Sequence, residues 1–480
     1  MMTECNEQKM LFQVHGKRRV EAAFDGGKIS TDGGAVLLRE LEMKEGIVGE
    51  FAEQCFEDYR DPRTIEFTVK ELIKQKVFGL ALGYEDLNDH DQLRVDPLLA
   101  MVCGRADPTG EDRRCEQDKG KPLAGKSTLN RLELYSGDEG RDGKYKKIKS
   151  KPEAIEEFFV ARFLRVQREV PWRIYLDLDT TDDQVHGNQE GKYFQGHYDS
   201  YCYLPLYIFC GDHLLCAKLK TADKEAAEGA LDELKRIVTQ IRKRWPKTQI
   251  VIRGDSAFCR DEIMTWAEQQ QEVYYILGLA RNPRLLKAIA QQMEQAQLRY
   301  EISGQPQRVF TEFAYTTLKT WRCQRRVIAK AEHMQRGANP RFVVTSLPYF
   351  DLDWKDEVTM LDAKYLYEKV YCARGEMENR IKEQQLDLFA DRTSTHWLKS
   401  NQLRLWLASL GYVLLSEVRR IGLVGTKLAR AYCGTIRETL LKIGARVLIS
   451  VRRIKVSLSS AYPQQELFGL VWQRLRSPDT

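Results

Sequence analysis

The sequence predicts an α/β fold, in which helices pack against a sheet. The first observation is a series of short apolar and β-branched runs, which lie at 173–178, 203–210, 214–219, 249–254 and 272–279. The second is that residues 223–244, between the third and fourth runs, have the apolar spacing of an amphipathic helix. The third is that two of the runs end in acidic residues, at the place where open α/β sheets build their sites. Several strands around one helical crossover predict an α/β sheet.

The region before these strands is expected to be mainly helical. A glycine-rich turn at 24–34 precedes a short helix, and residues 64–84 have the apolar positions of a longer amphipathic helix. Residues 104–126 and 136–152 are polar and rich in Gly, Lys and Asp, which predicts loops. We therefore assign residues 1–165 to a mainly helical N-terminal region.

The region after the strands divides into three further parts. Strand-like runs continue through 308–315, 324–329 and 341–347, and helical patterning resumes near residue 359. A compact catalytic core does not need this second set of strands, so we interpret them as a β-rich insertion. The predicted segments are a first part of the core, the insertion, a second part of the core and a mainly helical C-terminal region, at 166–282, 283–348, 349–396 and 397–480.

The composition excludes several classes of protein. At 480 residues and 43% hydrophobic, the chain is large enough to bury more than one core. Charged residues make up 30%, and no apolar run approaches the roughly 20 residues that a membrane helix needs. The N-terminus lacks the apolar stretch of a signal peptide, and the 11 cysteines include no C-x-x-C pair. We expect a cytoplasmic protein that does not engage a membrane.

Basic charge is concentrated at one end of the chain. Residues 401–480 contain 13 Lys and Arg against 4 Asp and Glu, a local charge of +9, although the whole chain carries only +6. This concentration predicts a polyanion as partner, most simply nucleic acid. The alternative is a solvated helical tail that uses arginine.

Three carboxylates carry the predicted chemistry. Asp179 ends the first strand, Asp255 ends the strand 249–254, and Glu378 lies on a polar helix far downstream. Such a set of carboxylates selects hard cations, Mg²⁺ or Mn²⁺, and a pair of these ions supports in-line displacement at a phosphodiester. Taken alone, Asp255 is equally consistent with a Gly-Asp-Ser turn that ends a strand.

The acidic cluster at the end of the first strand leaves a choice of ligand. Asp177 and Asp179 alternate to the same side of the strand, so both are candidates. Asp179 is favoured because Thr180 and Thr181 follow it. Asp177, Thr180 and Asp182 are then expected to support the site from behind the first ligands.

Glu378 belongs to a polar stripe along its helix. Tyr371, Arg374, Glu378 and Lys382 recur at helical spacing and form one face. Arg offers a planar fork to phosphate, Tyr an O–H and Lys a point charge, so the stripe predicts contact with DNA as well as a metal ligand. The alternative is an exposed helix with i,i+4 ion pairs.

Other residues are weaker candidates. Arg253, next to the second acid, is a candidate for DNA contact, and Trp321 or Trp354 could stack on an extruded base, although a core position is the alternative for each tryptophan. Gly120–Ser127 matches the phosphate-loop pattern G-x-x-x-x-G-K-S in full. That loop needs a buried strand before it, whereas residues 111–119 are almost entirely polar and charged. A P-loop NTPase that uses Lys126 is therefore a minor alternative.

Several segments together resemble a known family. They are Phe24–Glu40, His90–Pro97, Ser127–Glu133, Leu176–Gly187, Tyr201–Leu206, Ile252–Phe258 and Arg374–Lys382. In these segments the chain resembles a DDE-type bacterial insertion-sequence transposase of the IS-thirteen-eighty group, within the IS-four-like superfamily. Superfamily members carry the signature Tyr-x2-Arg-x3-Glu-x6-Lys, which Tyr371, Arg374 and Glu378 match. Gln385 occupies the final lysine position, and Lys382 lies one turn earlier.

The resemblance implies both a fold and a reaction. The fold is an RNase H-like catalytic core, with a mixed sheet and helices, that a β-rich insertion interrupts between Asp255 and Glu378. The reaction is cut-and-paste DNA transposition with Mg²⁺, for which Mn²⁺ can substitute. The partners would be a second copy of the chain and double-stranded DNA, as terminal inverted repeats and target. The N-terminal helical region, residues 1–165, and the basic C-terminal region would bind the inverted repeats, mostly through phosphates. The cell compartment would be the bacterial cytoplasm, at the nucleoid when DNA is bound. A catalytically silent DNA-binding relative of a transposase is the main alternative.

Overall fold

The computed structural model describes residues 9–134, 147–352 and 358–477. Parts of the predicted segments 1–165, 349–396 and 397–480, and with them Trp354, lie outside these ranges. The chain forms two compact units. Unit 1 contains residues 1–150, 387–389 and 410–480, and unit 2 contains residues 151–386 and 390–409.

The strands and helices follow one another along the chain in alternating groups. The strands are β1 (Met10–His15), β2 (Arg18–Ala22), β3 (Ile29–Ser30), β4 (Phe56–Asp58), β5 (Ile148–Ser150), β6 (Arg173–Thr180), β7 (Asp183–Gln184), β8 (Tyr193–Gln195), β9 (Ser200–Tyr203), β10 (Leu206–Cys210), β11 (His213–Lys218), β12 (Gln249–Gly254), β13 (Val273–Leu279), β14 (Gln307–Tyr315), β15 (Arg325–Met334), β16 (Gly337–Ala338), β17 (Arg341–Thr345), β18 (Phe350–Leu352), β19 (Val358–Met360), β20 (Ala445–Ser450) and β21 (Arg453–Leu458). The α-helices are α1 (Val36–Glu45), α2 (Ile47–Cys55), α3 (Val69–Ala81), α4 (Asp89–Leu93), α5 (Pro97–Cys103), α6 (Lys126–Glu133), α7 (Pro152–Val166), α8 (Ala230–Arg244), α9 (Asp261–Glu268), α10 (Pro283–Ala288), α11 (Ala290–Ser303), α12 (Ala363–Tyr365), α13 (Gly375–Lys382), α14 (Leu398–Glu417), α15 (Cys433–Ile436) and α16 (Gln465–Arg476). No helix among the described residues is long and apolar enough to cross a membrane.

Unit 1 is mainly helical, as predicted for its N-terminal part. The predicted helix at 64–84 begins later, at Val69, because Thr68 and Glu71 form a capping box that fixes its first turn. Helix α2 packs against α3, and α1 packs against α16. Their apolar faces are buried, as at Leu37 and Phe78.

The C-terminal region differs from its helical prediction between residues 445 and 458. There β20 and β21 form an antiparallel hairpin, and β3 adds a third strand at the edge of β20. Ala445 and Val447 are buried whereas Arg446 and Leu448 are exposed, so the side chains alternate with the period of a strand. The helical expectation is wrong here because the exposed Leu448 breaks the alternation of apolar and polar residues, which hides the strand period in the sequence.

The centre of unit 2 is one mixed sheet. Its strand order is β11-β10-β6-β12-β13-β17-β15-β14, and β16 pairs with β15. Strand β10 is antiparallel to β6 and to β11, whereas β12 is parallel to both β6 and β13. These strands confirm the predicted α/β class and place β6 and β12 side by side.

Helix α8 is the predicted crossover between β11 and β12. It begins at Ala230 and not near 223, since Gly229 has a φ of +78° and ends the preceding loop. The apolar face of α8, including Leu234 and Ile237, packs with Leu176 of β6 and Ile252 of β12 in the main core of the unit.

The segment 283–348 contains the strands expected of it and two helices that the sequence did not suggest. Helices α10 and α11 come first, and α11 packs against β14 and β15. Strands β14, β15 and β17 are hydrogen-bonded through β17 to β13, so they extend the central sheet.

Candidate active site

Asp179 and Asp255 lie at the carboxyl ends of neighbouring parallel strands. In the register of β6 with β12, Asp177 pairs with Arg253 and Leu178 with Gly254. Asp179 and Asp255 are the next residues on each strand, and both line one cleft of about 410 Å³. The Asp255 carboxylate also accepts a hydrogen bond from Ala257 N at 2.9 Å, so it ends its strand in a turn as well as facing the cleft.

Asp179 is held from two sides. Its Oδ1 accepts a hydrogen bond from Thr180 N at 2.9 Å, and its Oδ2 accepts one from Arg374 Nη1 at 3.1 Å. The pKa of Asp179 is raised to about 6, first by burial; the carboxylates of Asp255 and Glu378 also raise it, whereas Arg374 and the Thr180 N–H lower it. The carboxylate therefore lies where a second cation would be stabilised.

Arg374 connects the first acid to the helix acid. Its Nη2 lies 3.8 Å from Glu378 Oε1, one turn along α13, while its Nη1 binds Asp179. The i,i+4 ion pair that the sequence allowed is thus present, but its arginine has a second partner 195 residues away along the chain. Glu378 remains 53% exposed, so it is open to a ligand.

Asp177 is turned away from this chemistry. Both of its oxygens are bound by Arg253, through Nε at 2.6 Å and Nη2 at 2.7 Å, and the pair is buried. Arg253 Nη1 donates to Val370 O at 2.8 Å, and the guanidinium stacks over the ring of Tyr175 at 4.5 Å. The structure therefore contradicts a DNA-contacting role for Arg253, because its donors are used inside the unit.

The Tyr371 hydroxyl packs closely against Gly278, a residue that was not identified from the sequence. A Cβ on Gly278 of β13 would lie 2.7 Å from Tyr371 Oη and 2.9 Å from Ser256 N. Only a glycine lets the tyrosine hydroxyl and the backbone after Asp255 approach β13 so closely. An isolated glycine inside a strand was the available signal, since it often marks such a close approach.

A second cleft lies on the other side of Asp255. It has a volume of about 580 Å³ and is lined by Asp255, Tyr371 and Arg374 together with Arg281 and Arg341. Arg281 and Arg341 are both exposed, and neither was identified from the sequence. Arg281 lies two residues after β13 and Arg341 is the first residue of β17, so only the sheet order brings them together.

Thr180, Gln385 and the main chain of Asp182 take part in hydrogen bonds around the end of β6. Thr180 Oγ1 donates to Ala226 O at 3.1 Å, which ties the end of β6 to the loop before α8. The Gln385 amide donates to Asp183 Oδ1 at 2.9 Å and to Asp182 O at 3.0 Å. Burial raises the pKa of Asp183, which is fully buried, to about 8. The residue in the signature lysine position therefore anchors the acidic turn after β6.

Neither Lys382 nor Trp321 lines either of the two clefts. Lys382 is exposed on α13, one turn beyond Glu378. Trp321 is partly buried against the main core, with its ring edge-on to Tyr315 at 5.8 Å and beneath Arg325 at 5.5 Å. This packing matches the core position that was the alternative for Trp321.

The phosphate-loop pattern does not form a phosphate site. No strand leads directly into it among the described residues 104–125, where residues 116–118 form a single short helical turn. Lys126 N donates to Asp91 Oδ1 at 3.0 Å, and Lys126 Nζ lies 3.4 Å from Asp91 Oδ2. A carboxylate thus occupies the N-terminus of α6, where a nucleotide phosphate would have to bind.

The donors at the first cleft are of the type that a divalent metal requires. Asp179, Asp255 and Glu378 offer carboxylate oxygens, which suit hard cations. Burial is the main cause of the raised pKa of Asp179, so a cation bound there would stabilise its charged form. In the described part of the chain, no three acidic, histidine or cysteine side chains are yet close enough to enclose an ion. The three carboxylates are the type of ligand that such an ion requires. In this arrangement, Arg374 neutralises part of their negative charge through its ion pair with Asp179.

Comparison with known proteins gives the family. The family model of the transposase DDE domain, group 1, matches residues 12–480. A search of curated proteins found no match. Among solved structures, the chain is similar to a piggyBac transposase, determined by cryo-EM as a synaptic complex with hairpin DNA. The TM-score is 0.40 and the identity 9%, over 93% of this chain and 82% of that chain. On the match along nearly its whole length, the chain belongs to the DDE-domain transposases of group 1.

Proposed function

We propose that the protein is an active DNA transposase that cuts at the terminal inverted repeats of its insertion sequence and joins the ends to target DNA. The observation that carries this proposal is that Arg374 contacts both Asp179 and Glu378 and lines a cleft with Asp255, at the carboxyl ends of the neighbouring strands β6 and β12. Membership of the DDE family supports it. The IS-thirteen-eighty group and the cut-and-paste route are our more specific proposals.

The sheet order supports an RNase H-like core. We propose that β6, β10 and β11, followed by α8, β12 and β13, form this core, with three antiparallel strands and two strands parallel to the first. The segment 283–348 would then be the insertion between Asp255 and Glu378. Its strands lengthen the core sheet and supply Arg341 to the second cleft.

The residues of the site have separable tasks. Asp179, Asp255 and Glu378 would hold two divalent ions, Mg²⁺ or Mn²⁺, which would supply an activated nucleophile and stabilise the leaving oxygen. Arg374 offers a planar fork that can pass from Asp179 to a phosphate, and the Tyr371 hydroxyl lies beside Asp255. The buried pair of Asp177 with Arg253 fixes β6 against β12 and thereby the spacing of the two strand-end acids.

The second cleft supports a path for a DNA strand. Arg281, Arg341 and Arg374 line it next to Asp255, so three guanidinium groups face the place where a phosphodiester would enter. We propose that they bind the phosphates that flank the scissile bond. A homodimer would bring the two transposon ends together, in the bacterial cytoplasm at the nucleoid.

The test is cleavage of a labelled duplex that carries the element's own terminal repeat, with and without Mg²⁺. Wild type is expected to cut at the repeat end only with the metal, and Glu378→Ala is expected to lose cutting. Glu376→Ala is the matched control, because Glu376 is an exposed acid on the same helix. Binding without cutting in wild type would favour the silent DNA-binding relative, and equal cutting by Glu378→Ala would remove Glu378 from the site.

A further inference from the structure

The hairpin of β20 and β21 in unit 1 has two chemically different faces. Register pairs Val447 with Val456 and Ile449 with Ile454 on one face, and Leu448 with Lys455 and Ser450 with Arg453 on the other. The first face starts from the buried residues Ala445 and Val447. The second face, which we call the ribbon face, consists of six residues, all of them exposed except the half-buried Ser457: Arg446, Leu448, Ser450, Arg453, Lys455 and Ser457.

The ribbon face is basic without compensation from its own segment. Residues 439–465 contain no Asp or Glu, whereas Arg446, Arg453 and Lys455 all point to this face and Arg452 lies at the exposed tip. A face that only needed solvation would be expected to mix charges of both signs. Concentrated positive charge together with exposed Leu448, at 46%, and Val451 at the tip is typical of a surface that meets a polyanion.

The ribbon is built on a fixed base. Gly33 N donates to Ile443 O at 2.7 Å, and Val447 N donates to Lys28 O at 2.8 Å. A Cβ on Gly33 would lie 2.7 Å from Leu458 Cδ2, so the glycine-rich turn packs directly against the hairpin. Lys442 Nζ is bound to Asp32 Oδ1 at 2.7 Å just before β20. The cations beyond this base are therefore presented by a held strand pair.

We infer that the ribbon face binds duplex DNA, with Arg446, Arg453 and Lys455 on backbone phosphates. Alternate residues of one strand are about 6.8 Å apart, which is close to two base-pair steps of about 3.4 Å along the duplex. A two-stranded ribbon also fits the major groove, which is about 12 Å wide. The inference rests on the proposed function, because it names the surface that would hold the DNA of a transposase.

The test measures the salt dependence of binding. The full-length protein is titrated onto a fluorescein-labelled 40-base-pair duplex with the terminal repeat, by anisotropy, between 50 and 300 mM salt. The triple variant R446Q/R453Q/K455Q is expected to lower the slope of log Kd against log salt by about 3, because each phosphate contact contributes roughly one unit. The control K235Q/K243Q/K247Q removes the same charge from exposed positions on and after α8, and is expected to leave the slope unchanged.

The outcomes separate this inference from the proposed function. Equal slopes for wild type and the ribbon variant, or an equal loss in both triple variants, would overturn the inference even if wild type cuts DNA with Mg²⁺. A reduced slope in the ribbon variant with no metal-dependent cutting by wild type would retain the inference and reject the nuclease. The inference is also overturned if the ribbon variant loses binding to phosphatidylserine vesicles but binds the duplex as wild type does.

Discussion

Asp177 and Asp179 lie two residues apart on the same strand, yet replacing each by asparagine is expected to have opposite effects on stability. Asp177 is 4% exposed, and both of its oxygens are bound by the buried Arg253. Asp177→Asn leaves that guanidinium without its counter-charge. Removing one partner of a buried ion pair costs about 3–5 kcal/mol. The free energy of unfolding is therefore expected to fall by that amount.

Burial raises the pKa of both carboxyls, but Asp179 differs because only one of its oxygens is bound by a guanidinium, that of Arg374. Its pKa is raised to about 6 from an ordinary value of 3.8, first by burial. For an acid with a raised pKa in the folded state, the favourable contribution is complete below the unfolded pKa and is lost as the pH rises through about 6. At pH 7.5 without metal, the shift of roughly two pKa units corresponds to a cost of up to about 3 kcal/mol. Asp179→Asn is thus expected to match or exceed wild-type stability while it abolishes cutting.

The assay is urea unfolding at pH 7.5 in EDTA, followed by tryptophan fluorescence, with Mg²⁺-dependent cleavage measured on the same preparations. A double variant, Asp177→Asn with Arg253→Met, provides the control, because removing both charges is expected to recover part of the lost stability. At pH 5 the advantage of Asp179→Asn is expected to shrink. The reasoning is refuted if both single variants lose the same stability, or if Asp179→Asn is the less stable one.

Three further variants test the arrangement of the site and its surroundings. Gly278→Ala places a Cβ 2.7 Å from Tyr371 Oη, so cleavage is expected to fall about 10- to 100-fold. The control is Gly469→Ala, whose added Cβ has no neighbour within 4 Å. Full activity in Gly278→Ala would contradict the close approach. In Arg374→Lys, the lysine side chain has no planar fork to bridge the two acids. Because a charged hydrogen bond contributes about 1.5–3 kcal/mol, cleavage is expected to fall about 10- to 100-fold. Cleavage at the wild-type rate would show that only the charge is needed. The pKa of Asp183 is raised to about 8. Wild type is therefore expected to lose about 3 kcal/mol of stability relative to Asp183→Asn as the pH rises from 5 to 8, measured by thermal unfolding. Parallel pH profiles of the two proteins would show that Asp183 ionises normally.

The sequence was sufficient for the class of the sheet and for placing the three predicted acids at two strand ends and on a helix. The apolar runs before Asp179 and Asp255 are long enough to be recognised as strands, and both acids stand at strand ends, which local pattern alone can locate. The polar stripe with Glu378 was placed on a helix, and α13 is there. The phosphate-loop pattern was doubted because the polar residues 111–119 before it do not suit a buried strand, and the described residues 104–125 contain no strand.

The sequence was insufficient wherever the deciding partner is distant along the chain. Strand periodicity puts Asp177 and Asp179 on one side of β6, but only the register with β12 shows that Arg253 binds the first of them. For the same reason Arg253 could be mistaken for a surface arginine. In the C-terminal region, the hairpin was missed because its strand period is visible only once Val447 is known to be buried and Arg446 exposed.

The sequence by itself thus determined the family, the strand-end acids and the helix that carries Glu378, because these depend on residue type and local period. Only the tertiary structure decided that Asp179 and not Asp177 faces the cleft, and that Gly278 admits Tyr371 beside it. The same holds for the joining of Arg281 and Arg341 in the second cleft. These features depend on which strands become neighbours and in what register, and hydrogen bonding between segments far apart in the chain fixes both.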